Sequence, residues 1–185
     1  MNEHFTESLI SMGSNKPGLL FFILLLTAAV AIPGCITYSF TGTSIPSDVR
    51  TIYIPFFPDR SQSGLGDLSD QINQALINRF VNQSRLSLSN DRDNADAVVE
   101  GSIQNYVNRP FSVRGDEQAN LNEIQITVRA SFQYTKDDDP LWNKNFSGSA
   151  TFDILENPVE GELEAAREAL QQIANNMFND AVSSW

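Results

Sequence analysis

One histidine and one cysteine are all the imidazole and thiol that this chain of 185 residues holds. His4 stands near the start and Cys35 closes an apolar run, so neither belongs to a spaced motif. The residues after Cys35 therefore offer no thiol nucleophile, no imidazole base and no Cys/His zinc site. Positive charge is scarce too: 12 Lys and Arg face 23 Asp and Glu, a net charge of −11. Nucleic-acid binding needs a basic footprint, so that class is excluded. A long apolar run is also lacking. The longest, Leu19 to Ile32, has fourteen residues with Thr27 as its one weak polar break, short of the roughly 20 that a spanning helix needs.

What is present begins with that run. Its length fits the apolar core of a secretory leader, about 7–15 residues, and Lys16 supplies the charged flank. Glu3 and Glu7 make the extreme N-terminus acidic, which suits a leader badly. Initiation at Met12 would correct this and leave residues 1–11 upstream of the true start. No A-x-A-like site ends the run. Ile32-Pro33-Gly34-Cys35 stands there instead and resembles the lipobox, whose cysteine is acylated and becomes the new N-terminus. Pro33 departs from the usual Ala or Ser. The competing reading is a free cysteine in a signal anchor.

The expected organisation is a lipoprotein signal peptide over 1–34, a lipidated anchor segment over 35–49 and one α+β domain over 50–185. Loss of Lys16, Glu3 and Glu7 leaves 11 basic and 21 acidic residues, a net charge of −10. No cofactor is expected beyond covalent diacylglycerol and fatty acid (palmitate) on Cys35. One acyl chain holds a membrane weakly, at about 0.8 kcal/mol per buried methylene, and several hold it well. Ile36 rather than an acidic residue follows Cys35, so the expected address is the periplasmic side of the outer membrane.

The acidic motifs do not add up to a catalyst. Asp91-Arg92-Asp93-Asn94-Ala95-Asp96 starts like a calcium loop, then places Ala95 at the fifth position, Asp96 where glycine should be and Ser102 where the closing Glu should be. Asp137-Asp138-Asp139-Pro140 reads as a hairpin turn, as does Arg114-Gly115-Asp116. Carboxylate pairs could serve a glycosidase, but no pattern singles one out. A non-enzymatic role is expected.

The element order is readable. "RTIYIPFF", residues 50–57, is β-branched and aromatic and predicts a strand closed by Pro58. Leu68, Ile72, Leu76 and Phe80 recur at helical spacing, with Asp67 or Ser69 as cap and an end near 82–84. "RLSLS" at 85–89 predicts a short strand, and three longer ones follow at 96–107, 123–135 and 142–154. In the second, Ile124, Ile126, Val128, Ala130, Phe132 and Tyr134 alternate with Gln125, Thr127, Arg129, Ser131 and Gln133, as in an antiparallel sheet with one covered face. In the third, Phe146, Ala150, Phe152 and Ile154 share a phase. Residues 108–122 read as a long connection. Asn157-Pro158-Val159-Glu160 then opens a helix, whose apolar stripe runs Leu163, Ala166, Leu170, Ile173, Met177, Ala181 and either Val182 or Trp185. The expected fold is α+β, two helices packed on one face of a mostly antiparallel, mixed sheet of four to five strands.

"CITYSFTGTSIPSDVRTIYIPFF" at 35–57 resembles the start of mature LptE-family proteins, the lipopolysaccharide-assembly lipoproteins. "INQALINRFVNQSRLSL", "ADAVVEGSIQNY", "LNEIQITVRASFQY" and the closing "NDAVSSW" extend the resemblance over the whole mature chain. It implies two helices on a four-stranded sheet, no catalysis, and a place in the lumen of the outer-membrane barrel LptD, as plug and assembly factor and in delivery of lipopolysaccharide to the outer leaflet. Lipopolysaccharide carries phosphates, so its contacts should include Arg or Lys. The candidates are Arg109 and Arg114 in the 108–122 connection and Lys136 on the next turn. The alternative is a periplasmic lipoprotein that binds peptidoglycan or another envelope protein.

Overall fold

The computed structural model describes residues 45–111 and 120–183. The leader, Cys35, the anchor segment up to residue 44, Arg114 and Trp185 lie outside the described residues. Strand β1 is Thr51–Tyr53, helix α1 is Leu68–Ile77, and a π-helical turn, Asn78–Asn82, prolongs α1. Strands β2 (Ser87–Ser89), β3 (Ala97–Phe111), β4 (Leu121–Tyr134) and β5 (Trp142–Asp153) follow, and helix α2 (Pro158–Ser183) comes last. The five strands form one sheet in the order β2-β1-β3-β4-β5. β1 runs parallel to β2 and β3, while β3, β4 and β5 are antiparallel. The fold is the expected one, with the higher of the two strand counts.

Both helices lie on one face of the sheet. Leu68, Ile72 and Leu76 of α1 and Phe80 of the π-turn are fully buried, as are Ala166, Leu170, Ile173 and Met177 of α2. Each fully buried large apolar side chain stabilises the fold by roughly 1.5–3 kcal/mol. The alternation read in β4 holds residue by residue: Ile124, Ile126, Val128, Ala130, Phe132 and Tyr134 all face the core. Ala165, Ala169 and Ala174 widen the stripe of α2, and their small size lets the helix approach β5 closely. A Cβ on Gly148 would stand 2.2 Å from the Ala169 carbonyl oxygen, so only glycine fits there.

Four expectations need correction. The strand at 50–57 shrinks to Thr51–Tyr53, because Pro55 and Pro58 remove backbone donors. The chain beyond them still tracks β3: the Arg60 N–H donates to the Ile103 carbonyl at 2.9 Å and the Ile103 N–H to that of Pro58 at 3.1 Å. The connection at 108–122 is shorter than read, since β3 runs on to Phe111 and β4 starts at Leu121. Pro110 is tolerated because β3 has no neighbour on its other side beyond Ile103 among the described residues. Ile154 is exposed, not core. The Asp153 carboxylate accepts the Leu155 N–H at 2.7 Å and turns the chain out of the sheet. Finally, no side chain caps the backbone of α1; Asp67 instead accepts the amide of Gln71.

Candidate functional surface

The face of the sheet turned away from the helices is built by the second phase of each strand. Its cross-strand rows are Glu100–Ser131–Asn143, Ser102–Arg129–Asn145, Asn105–Thr127–Ser147, Val107–Gln125–Ser149 and Arg109–Glu123–Thr151. A register shift between Ile103 and Asn105 moves β3 from even-numbered to odd-numbered residues on this face. Hydroxyl and amide groups dominate it, and some pair locally, as Thr127 Oγ1 and Ser147 Oγ do at 3.0 Å. Arg129 stands mid-face and exposed, with no ion pair among the described residues. Such a face can exchange hydrogen bonds with water or with a polar wall.

The two ends of the sheet differ in chemistry. At the end where β3 finishes and β4 begins, Arg109 Nη2 lies 2.6 Å from Glu123 Oε2. Arg109 is therefore on a strand with a carboxylate partner, not in a loop as a free cation. Phe111, Ile154, Leu155 and Val159 are exposed around this end, the last two by 69% and 73%. The end is fastened to α2 through Glu162, which accepts from the Tyr106 hydroxyl at 2.6 Å and from Asn108 at 2.9 Å. Burial, and then this bond to a carboxylate, push the Tyr106 phenol well above its ordinary pKa.

At the other end, Lys136 Nζ lies 2.9 Å from Asp48 Oδ2 with both side chains more than half exposed. That bond raises the Lys136 pKa and lowers the Asp48 pKa. Asp96 ties this end together: Oδ2 accepts the N–H of Arg50 at 2.8 Å and the N–H and hydroxyl of Thr51, each at 2.9 Å. The Arg50 N–H, then the Thr51 hydroxyl and N–H, hold the Asp96 carboxyl below its usual range. Eleven residue steps of β4, from Glu123 to Tyr134, lie between the two ends, roughly 36 Å at 3.3 Å per residue. The structure does not bring Arg109 and Lys136 together.

Asp91, first of the calcium-like run, uses its carboxylate on the turn itself, accepting from the Asp93 N–H at 3.0 Å and the Asn94 amide at 2.6 Å. Among the described residues no three His, Cys, Asp or Glu side chains converge as metal ligands would.

Over residues 49–181 the sequence matches the family model LptE, described as lipopolysaccharide-assembly. No curated protein sequence matches it. Among solved structures, a Xanthomonas campestris protein of family DUF330 is similar with a TM-score of 0.52 and 11% identity, over 77% of this chain and 90% of that one. A minor lipoprotein from Acinetobacter baumannii is similar with a TM-score of 0.45 and 14% identity, over 75% and 94%. Uncharacterized lipoprotein B from Nitrosomonas europaea gives 0.45 and 18%, over 77% and 86%. At 11% identity the likeness to the Xanthomonas protein speaks to the fold alone.

Proposed function

This chain belongs to the LptE family of lipopolysaccharide-assembly proteins, and on that premise we propose that it is an outer-membrane lipoprotein anchored through Cys35. In this reading it docks as a plug and assembly factor inside an LptD-type barrel and helps deliver lipopolysaccharide to the outer leaflet, without catalysis. The observation that carries the reading is the helix-free sheet face, polar across three strands. An aqueous barrel lumen is polar, and a wall of that kind can pair with hydroxyl and amide groups that an apolar partner would leave unsatisfied.

Glycolipid contacts follow from the same reading. Arg109 is placed beside exposed Phe111, so charge and apolar surface meet at one end of the sheet. Arg114 lies a few residues further along the chain. Lys136, at the opposite end, would meet a different part of the ligand or none. Because Glu123 already holds Arg109, a phosphate there must share the guanidinium rather than claim it.

Affinity purification of the full chain from native outer membrane tests the proposal. A large barrel and lipopolysaccharide are expected to come down together, and Cys35→Ala is expected to leave the membrane fraction and lose fatty-acid labelling. Recovery of peptidoglycan or another envelope protein, with no barrel, would transfer the chain to the alternative role.

A further inference from the structure

We infer that the groove between α1 and α2 is a binding site for an acidic oligosaccharide. It lies on the helix layer, on the other side of the sheet from the polar face, and stands or falls apart from barrel docking. Its volume is about 920 Å³, within the range of small-ligand sites. Eight of its lining residues are Asn or Gln, from both helices, the π-turn that prolongs α1 and Gln83 just after it, and only Ala75 and Ile77 are apolar. Protein-binding surfaces concentrate aromatic and aliphatic side chains at their centre. This groove instead offers carboxamides, each with two donors and an acceptor, which is what the hydroxyls of a sugar pair with.

Charge selects the class of sugar. In a chain of net charge −11, the groove is lined by two arginines, Arg79 and Arg167, against one carboxylate, Asp70. Arg167 is engaged by Glu164. Arg79 makes no ion pair among the described residues; it lies over the Phe178 ring, 4.1 Å from Cζ to the centroid, and donates to Gln83 and Asn179 at 3.3 and 3.4 Å. A guanidinium held this way is pre-oriented for a phosphate or carboxylate.

A second observation concerns the same wall of the groove. Gln71 Oε1 and Arg79 Nε, both on lining residues, are shielded from solvent without a hydrogen bond. Leaving such an atom unsatisfied costs about 1–3 kcal/mol. A single lining carboxylate gives no acid–base pair, so the site binds rather than cleaves.

Calorimetric titration of the purified full chain in detergent tests this with two probes. One is the lipid-free, phosphorylated core oligosaccharide released from lipopolysaccharide by mild acid; the other is soluble muropeptide glycan. Binding of one of them is expected, and the probe that binds identifies the source. The double substitution Gln171→Glu with Asn175→Asp, at two exposed lining positions, is expected to weaken binding at least tenfold. Asn90→Asp, in the exposed turn after β2, is expected to leave it unchanged. The inference is overturned if neither probe binds at millimolar concentration, or if the double variant binds as the wild type does. Loss of barrel association by that variant with oligosaccharide affinity intact would make the groove a protein contact, and likewise overturns it.

Discussion

The two faces of this sheet come from the same strands, yet they obey different rules. On the covered face, Val128, Phe146 and Gly148 meet the core, and a single extra carbon at Gly148 collides with α2. On the open face, Thr127 and Ser147 share a hydrogen bond at 3.0 Å and Arg129 stands exposed beside them. One face is specified by shape, the other by hydrogen-bonding capacity. Substitutions should therefore divide into those that damage the fold and those that damage association.

The sharpest contrast is expected from Leu170→Asp, which puts an unpaired charge against the sheet and should destabilise by about 4 kcal/mol or more. Glu168→Lys, two residues away on the exposed side of α2, should change stability by less than about 0.5 kcal/mol. Similar melting temperatures for the two would abolish the distinction between faces. Next in size is Gly148→Ala. Its methyl group has no room beneath Ala169, and overpacking of this kind costs about 1–3 kcal/mol. A denaturant midpoint equal to wild type would show that α2 can move away.

A smaller effect is expected at the Lys136 end. Asp96→Ala removes the acceptor for Arg50 and Thr51 and should cost about 2 kcal/mol at neutral pH. The pH dependence has a definite sign. A carboxyl held below its unfolded value of about 3.9 stabilises the fold above that value, and the contribution is lost as pH falls through the lowered folded value. Urea titrations of wild type and Asp96→Asn should therefore converge below about pH 4. A gap that widens on acidification would contradict this. The smallest effect on stability, under about 0.5 kcal/mol, is expected for Arg129→Glu on the open face. The same variant should recover less barrel in affinity purification, and undiminished recovery would take Arg129 out of the interface.

Legibility from sequence follows the same division. The alternation in β4 and the Asn157-Pro158 start of α2 could be read because one covered face imposes a period and one turn imposes a cap. The register shift in β3 could not. Its extra residue reverses which side chains face the core after Ile103, so Tyr106 and Asn108 reach Glu162 while Asn105 and Val107 do not. Pro110 hid the continuation of β3, and with it the pairing that gives Arg109 a carboxylate neighbour. The π-turn at Asn78–Asn82 has no local signature, since its buried residue, Phe80, keeps helical spacing. The groove was invisible because Arg79 and Arg167 are far apart in sequence. Only packing of the two helices makes them neighbours.

The strand order has a consequence for synthesis. β1 sits between β2 and β3, and the Thr51–Asp96 bonds that secure it join residues 45 apart. At about 5–20 residues per second, a ribosome needs a few seconds to supply that partner. During this interval "TIYIPFF" is a nascent β-prone segment with free backbone donors and acceptors, the kind that recruits other chains. Arg50 before it, with Pro55 and Pro58 within and after it, are the residues that interrupt such recruitment. The prolines that shorten β1 in the finished sheet thus act earlier as guards against aggregation of the unfinished chain.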